Sequence, residues 1–214
     1  MDRHSPEDVR SFFDGLAARW DQLPRPAPER LQVIVDWAAL SSGETVLDVG
    51  TGTGILVPYL RRGVGPGGEV VGADISQRML EQAEANHGEA ATFVLADAQY
   101  LPFPAGRFDC VMCFSAFPHF DHQFRAIGEF ARVLRPGGRV VIAHADSRST
   151  INARHQGMGG PAAHHVLPPA PVLAGWLEAC GLKASIARDD SELFVIVGRK
   201  APWTRGGPGN GHVL

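Results

Sequence analysis

Three groups of residues in this 214-residue chain have types and spacings suited to chemistry. The first is Gly50-Thr51-Gly52-Thr53-Gly54, entered from the apolar run Val46–Val49 and followed by a helical run from Ile55 to Arg61. Glycines two apart let the backbone turn sharply and bring bare N–H groups against a ligand, because a Cβ there would fill the space. The helix beyond adds its free N-terminal amides. The second group is carboxylates at strand ends: Asp48 before the glycines, Asp74 closing one run and Asp97 closing the next. Asp74 stands 24 positions after Gly50, where a carboxylate accepts from both hydroxyls of a ribose. The plainer role is a helix cap, although Ser76 is better placed for it. Asp97 is a second acceptor or an ordinary turn aspartate.

The third group is histidines. His119, in the loop Ser115–His122, suits a general base near neutral pH, or a ring held only by packing. Beyond it, Asp146–Pro169 carries Asn152, Arg154, His155, His164 and His165; with His119 and His144, five of the nine histidines can converge. They suit the lining of a substrate pocket, with incidental loop residues as the plain alternative. Three imidazoles from His155, His164 and His165 would also suit Zn²⁺, Fe²⁺ or Ni²⁺. Their spacing matches no compact ligand motif, and no metal is assigned. Arg154 suits an acidic substrate group or a surface position.

The elements that must position these groups alternate. The pattern predicts helices over 5–21, capped by Ser5, and over 29–40, then strands over 69–73, 92–96, 107–114 and 139–144. Helices are expected from Ser76 to about Asn86, over 123–134 and over 171–180, with a closing hairpin from 182–188 and 193–198. Residues 135–138 read as a turn, 146–169 as a long non-regular insert, and the glycine-rich tail 201–214 as disordered. The expected fold is α/β: a doubly wound, mostly parallel seven-stranded sheet with an antiparallel edge strand. One domain is expected over 1–200, with 1–28 as an N-terminal lid helix and linker.

A formal net charge of −3 gives no basic footprint for nucleic acid. No apolar run approaches the roughly 20 residues of a spanning helix, so no membrane insertion is expected. With a polar N-terminus and three cysteines that make no disulfide framework, the cytoplasm is the expected compartment. Cys110 and Cys113 are three apart in an apolar run, so on a strand they face opposite ways and read as buried small residues. Oligomeric state is left open.

The G-x-G-x-G spacing with Asp48 two residues upstream resembles the loop of the class I, seven-stranded S-adenosylmethionine (SAM)-dependent methyltransferases. Leu101-Pro102-Phe103 before Phe108-Asp109-Cys110-Val111, and Leu134-Arg135-Pro136-Gly137-Gly138-Arg139-Val140, resemble that family's approaches to its fourth and fifth strands. Phe13-Asp14-Gly15-Leu16-Ala17-Ala18-Arg19-Trp20-Asp21 resembles the opening helix of its ubiquinone/menaquinone methyltransferase group, which folds over the site. The resemblance implies SAM as cofactor, with S-adenosylhomocysteine as product. It implies cofactor contacts from Asp48, Gly50, Thr51, Gly52, Gly54, Asp74, Asp97, Ala98 and Phe114. Asp48 would orient the loop or the methionine amino group, and Asp97 would accept from the adenine amino group. Ile75 and Met79 would sandwich the adenine ring, unless Met79 is ordinary core.

The function so implied is methyl transfer to a small-molecule acceptor by in-line displacement, with His119 as the candidate catalytic residue. Phe13, Trp20, Phe117, His144, Arg154, His155, His164 and His165 are the candidate pocket. The alternatives are methylation of a metal, metalloid or corrinoid-type acceptor, suggested by histidine density alone, and a non-catalytic SAM-binding module. An NAD-dependent oxidoreductase is disfavoured by the glycine spacing and by the lack of a Tyr/Lys hydride-relay pair. The fold itself does not name the acceptor.

Overall fold

A computed structural model describes residues 6–158 and 161–203. Seven strands form one sheet: β1 (Thr45–Val49), β2 (Glu69–Asp74), β3 (Thr92–Leu95), β4 (Phe108–Phe114), β5 (Leu134–His144), β6 (Leu182–Asp189) and β7 (Phe194–Lys200). Their order is β3-β2-β1-β4-β5-β7-β6. Strands β1 to β5 pair in parallel, whereas β7 runs antiparallel to both β5 and β6. The expected closing hairpin therefore forms one end of the sheet, with β7 inside and β6 at the edge.

Every residue of β4 is buried, the continuous apolar run expected of a parallel strand covered on both faces. Alternate residues feed opposite cores. Val111, Cys113, Val140 and Ile142 pack beneath α5 (Gln123–Val133) and α7 (Ala170–Ala179), with Phe130, Leu173 and Leu177. Cys110, Met112, Val141 and Ala143 pack beneath α2 (Pro28–Asp36) and α3 (Val57–Val64), with Leu31, Ile34 and Leu60. Cys110 and Cys113 thus face apart, and all three cysteines are free thiols. Burial pushes the Cys110 thiol up to about 12.

The sheet reverses its winding between β1 and β4, and a doubly wound sheet opens its ligand crevice there, beyond the strand carboxyl ends. Gly50 and Ala116 meet across that crevice: a Cβ built on Gly50 would stand 2.2 Å from the Ala116 Cβ.

Four expectations are corrected. Helix α2 ends at Asp36 rather than Leu40, because Ala39 turns left-handed at φ 48° and the Ala38 and Ala39 carbonyls accept from the Arg139 guanidinium. Arg139 also forms a two-pronged pair with Glu44 at 2.9 and 2.6 Å. Residues 135–138 belong to β5 rather than to a turn outside it; a register shift after the Phe108–Leu134 pair takes up the extra residues. The helix after the glycine loop starts at Val57, since left-handed glycines hold residues 50–54 out of helical geometry.

The largest correction concerns the insert. Residues 148–158 form α6 (Arg148–Met158), and a 3-10 turn follows at Pro161–His164. The Ser147 hydroxyl accepts from the Thr150 N–H at 3.1 Å, a cap at the helix start. Only Ile151 and His155 are buried on α6, so its apolar stripe is too thin to announce itself. Asn152 ties the helix to the returning chain, accepting from Leu167 N at 2.8 Å and donating to Leu167 O at 3.2 Å. The Ser5 cap and residues 204–214 of the expected tail lie outside the described residues.

Candidate functional site

Gly50, Gly52 and Gly54 adopt φ of 71°, 56° and 84°, left-handed values that cost little only for glycine. Gly50 N and Thr51 N donate to Ala73 O at 2.8 and 3.1 Å, which pins the loop to the end of β2. Below it, the buried Asp48 carboxylate accepts from the Thr51 hydroxyl at 2.8 Å. Asp74 holds the loop from the neighbouring strand end. One oxygen accepts from Gly52 N at 2.9 Å and the other from Ser76 N at 2.9 Å. Ser76 caps α4 (Gln77–His87) by accepting from Met79 N at 3.1 Å. The helix cap is therefore Ser76, which leaves Asp74 facing the loop.

Burial raises both acids. The Asp48 carboxyl is pushed up to about 7, with the Thr51 hydrogen bond opposing and the Asp74 charge adding to the rise. Asp74 is raised by burial against the opposing N–H groups of Ser76, Gly52 and Ile75. Burial thus favours the neutral form of both acids, and a cationic ligand in the loop above them would shift both back toward the carboxylate.

Asp97 accepts from the Gln99 N–H at 2.9 Å and from its side-chain amide at 3.0 Å. Asp97 and Ile75 line one cavity of about 360 Å³ with Leu95 and Ala96, under the start of α1 (Pro6–Trp20). Ala98 is buried, and Phe114 is buried on the face opposite Cys113. Met79, on α4, is 2 % exposed. A larger groove of about 910 Å³, lined by Pro26, Pro28, Tyr59, Arg62 and His87, contains none of the candidate residues.

Helix α1 crosses the cleft, held by two aspartates that the sequence reading quoted without giving them a role. Asp14 accepts from the Ser76 hydroxyl at 2.6 Å and from Arg78 N at 3.2 Å. Asp21 accepts from the Thr53 hydroxyl at 2.5 Å and from Asn86 at 3.3 Å. Seven residues is two helical turns, so both point the same way, and the F-D-x-x-A-x-x-W-D spacing was the available signal. Trp20 lies over the loop, its Nε1 3.8 Å from where a Gly52 Cβ would be. Phe13 meets Trp20 at 5.8 Å and the His119 ring at 5.0 Å between centroids.

Four histidines converge beneath this helix. His119, on the 3-10 turn Phe117–His119 after β4, lies Nδ1 to Nδ1 from His165 at 2.7 Å. The His155 ring stands 4.8 Å from that of His119, and its Nδ1 is 2.9 Å from the His165 carbonyl. His144 ends β5, 3 % exposed, with its Nε2 buried and without a hydrogen-bond partner. Burial, and then the neighbouring imidazoles, hold His119 well below the ordinary imidazole range. Burial takes His144 down to about 3 and lowers His155. His119, His144 and His155 are therefore neutral at pH 7. Phe117 is fully buried beneath the turn, as support rather than as an open wall.

Two candidates stand apart. Arg154 is exposed on α6 and pairs with Asp146 at 2.7 Å. His164 is exposed, while His165 turns inward. The suggested trio His155, His164 and His165 therefore does not converge. Among the described residues no group of three histidines, cysteines or acids is arranged to hold a metal ion, and His119 and His165 spend facing nitrogens on each other. Ser115, at φ 54° on the exposed turn after β4, is a residue sequence reasoning passed over.

Residues 47–142 match a family described as a methyltransferase domain. The chain is 37% identical over 144 residues to the ubiquinone/menaquinone biosynthesis C-methyltransferase of Hahella chejuensis, covering 63% of this chain and 58% of that one. It thus spans less than two thirds of the length of such curated relatives. Among solved structures, a SAM-dependent methyltransferase from Aquifex aeolicus matches with a TM-score of 0.66 at 19% identity, over 92% of this chain and 98% of the other. The [4+2]-cyclase SpnF matches with a TM-score of 0.73 at 18% identity, over 93% and 97%. At these identities the structures bear on the fold alone.

Proposed function

We propose that this chain, which carries a class I SAM-dependent methyltransferase domain, transfers a methyl group from SAM to a small-molecule acceptor held at the histidine cluster. The observation that carries this reading is the reach of α1: Trp20 covers the glycine loop and Phe13 covers His119. One helix therefore covers both the glycine loop and the histidine cluster, which supports a methyl donor on the loop with its acceptor at the histidines.

The residues fit the cofactor. At Gly50 and Gly54 a Cβ would meet a neighbour at 2.2 and 2.7 Å, so the loop has to be bare backbone there, and a cationic ligand would counter the burial that raises Asp48 and Asp74. In this reading Asp74 takes the ribose hydroxyls, and Asp97 with Ile75 takes the adenine in the cavity they share. Asp48 sets the loop through Thr51. SAM, when bound, supplies the electrophilic sulfonium methyl group. The chain aligns acceptor and methyl carbon, excludes water under α1, and removes a proton where the acceptor carries one. His119, neutral and at the cleft, is the group we assign to that proton. His144, with its unpartnered Nε2, and His155 line the acceptor side.

We read 1–200 as one domain with 1–28 as lid and linker, and a cytoplasmic setting is supported by three unpaired thiols. Among the described residues no helix is long and apolar enough to cross a membrane. The names of the curated relatives make carbon methylation of a phenol- or quinol-type ring the first acceptor class to try. The test is S-adenosylhomocysteine release from SAM with phenols, quinols, amines and thiols in turn, beside calorimetry with SAM and with NAD. SAM binding and acceptor-dependent release are expected. NAD binding without SAM binding would overturn the reading.

A further inference from the structure

A short polar contact in the acceptor half joins two imidazoles: Nδ1 of His119 and Nδ1 of His165, 2.7 Å apart. Two rings at that distance hold one proton between the facing nitrogens, so one nitrogen donates and the other accepts. Which one does so decides what His119 offers the cleft. If His119 accepts at Nδ1, its Nε2 carries the proton and can only donate. If His119 donates at Nδ1, its Nε2 has a free lone pair.

Both rings are half-buried, and the role assigned to His119 selects between the two forms, since a base needs the free lone pair on Nε2. Neutral imidazole on its own prefers its proton on Nε2. With His119 as donor, His165 keeps that preferred form, which leaves its Nδ1 as the acceptor. His119 is wedged between the Phe13 ring at 5.0 Å and the His155 ring at 4.8 Å and cannot swing away. His155 in turn fixes the segment, since its Nδ1 donates to the His165 carbonyl at 2.9 Å. Thus α6, which supplies His155, sets the backbone that supplies His165, and His165 sets His119.

We propose that His165 is a positioning residue for His119, holding it as the Nδ1–H tautomer with its Nε2 lone pair directed to a methyl acceptor that carries an acidic O–H, such as a phenol or enol. This rests on the assignment of His119 as base. In the step, the acceptor's O–H proton passes to His119 Nε2 and the electron pair released forms the bond to the methyl carbon from the conjugated ring carbon, whose own hydrogen then returns to the oxygen through solvent; an O-methylated product would form the bond from oxygen instead. The carbon–sulfur bond breaks with its electrons kept on sulfur. His119 becomes an imidazolium whose Nδ1–H remains on His165, and it returns its Nε2 proton to water after product leaves. A thiolate acceptor would need none of this.

The test reads the tautomer and requires no acceptor. Two-bond ¹⁵N–¹H correlation spectra are recorded at neutral pH on histidine-labelled full-length protein with S-adenosylhomocysteine, and His119 is assigned by its loss in His119→Gln. His119 is expected as Nδ1–H. In His165→Ala it reverts to Nε2–H, and in His165→Asn, whose amide oxygen can replace the accepting nitrogen, it returns to Nδ1–H. With an acceptor from the screen, His165→Ala lowers turnover at least about tenfold and His165→Asn recovers most of it. SAM affinity stays unchanged in both. An Nε2–H form of His119 in the parent protein, or the same tautomer in all three proteins, overturns the proposal. Should His165→Ala not fold, the parent and His165→Asn spectra still decide. Full turnover in His119→Gln would instead remove the base assignment while leaving the tautomer result standing.

Discussion

The two sides of the cleft are built from different materials. On the glycine-loop side, backbone makes the site: three left-handed glycines, N–H groups donating to Asp74, and a loop pinned to Ala73. On the histidine side, side chains make it, drawn from α1, the turn after β4, the end of β5, α6 and the segment around His165. A backbone site depends on spacing along one short stretch, so it is written locally. A side-chain site depends on where five elements end, and only the finished fold brings them together.

That difference governs what was legible. Asp74 closes β2 and Asp97 follows β3 by two residues, so their candidacy could be read from strand ends at the carboxyl edge, where a doubly wound sheet takes its ligand. Helix α6 was missed because it buries only Ile151 and His155 against the sheet, leaving no apolar period to detect. Without α6 nothing separates His165, which turns in, from His164 beside it, which turns out. The Arg135–Arg139 stretch, part of the family resemblance, proves to work at the opposite edge of the sheet. There Arg139 locks Glu44 and the end of α2, so its role is to hold the fold.

The sharpest way to break the comparison is at Gly50. An alanine there meets the Ala116 Cβ at 2.2 Å with a φ of 71°, so neither backbone nor neighbour can yield cheaply. Gly50→Ala should abolish measurable SAM binding and lower stability by about 1–3 kcal/mol, read by calorimetry and thermal unfolding. Gly54→Ala meets chiefly the His87 ring, at 2.7 Å, and a side chain can move. Its effect should be the smaller one; equal effects would mean that contact with Ala116 is not what makes Gly50 special.

Acid titration separates the sides by sign. His144 titrates near 3 in the fold and near 6.5 unfolded, so between these values the unfolded chain binds more protons and stability falls as pH falls. Asp48 titrates near 7 in the fold and near 3.9 unfolded, so over that window the folded chain binds more protons and stability falls as pH rises. His144→Leu should therefore reduce the loss on acidification, and Asp48→Asn the loss toward pH 7, each by up to about 1.4 kcal/mol per pH unit. Midpoints of urea unfolding at pH 5 and pH 7 check both. Slopes moving the same way would contradict the assignment of one acid-favouring and one acid-sensitive group.

The smallest effect belongs to Arg154, exposed and paired with Asp146. Arg154→Ala should cost less than about 1 kcal/mol and leave SAM affinity and turnover unchanged. A marked loss of turnover would return Arg154 to the acceptor pocket.

The division into a cofactor side and an acceptor side is tested most directly by calorimetry of SAM with two variants measured together, Asp74→Ala and His119→Ala. Charge-assisted hydrogen bonds of about 1.5–3 kcal/mol are lost with Asp74, so its variant should bind SAM more than about tenfold more weakly. His119→Ala should bind SAM as the parent does. Undiminished binding in Asp74→Ala, or lost binding in His119→Ala, would contradict the account.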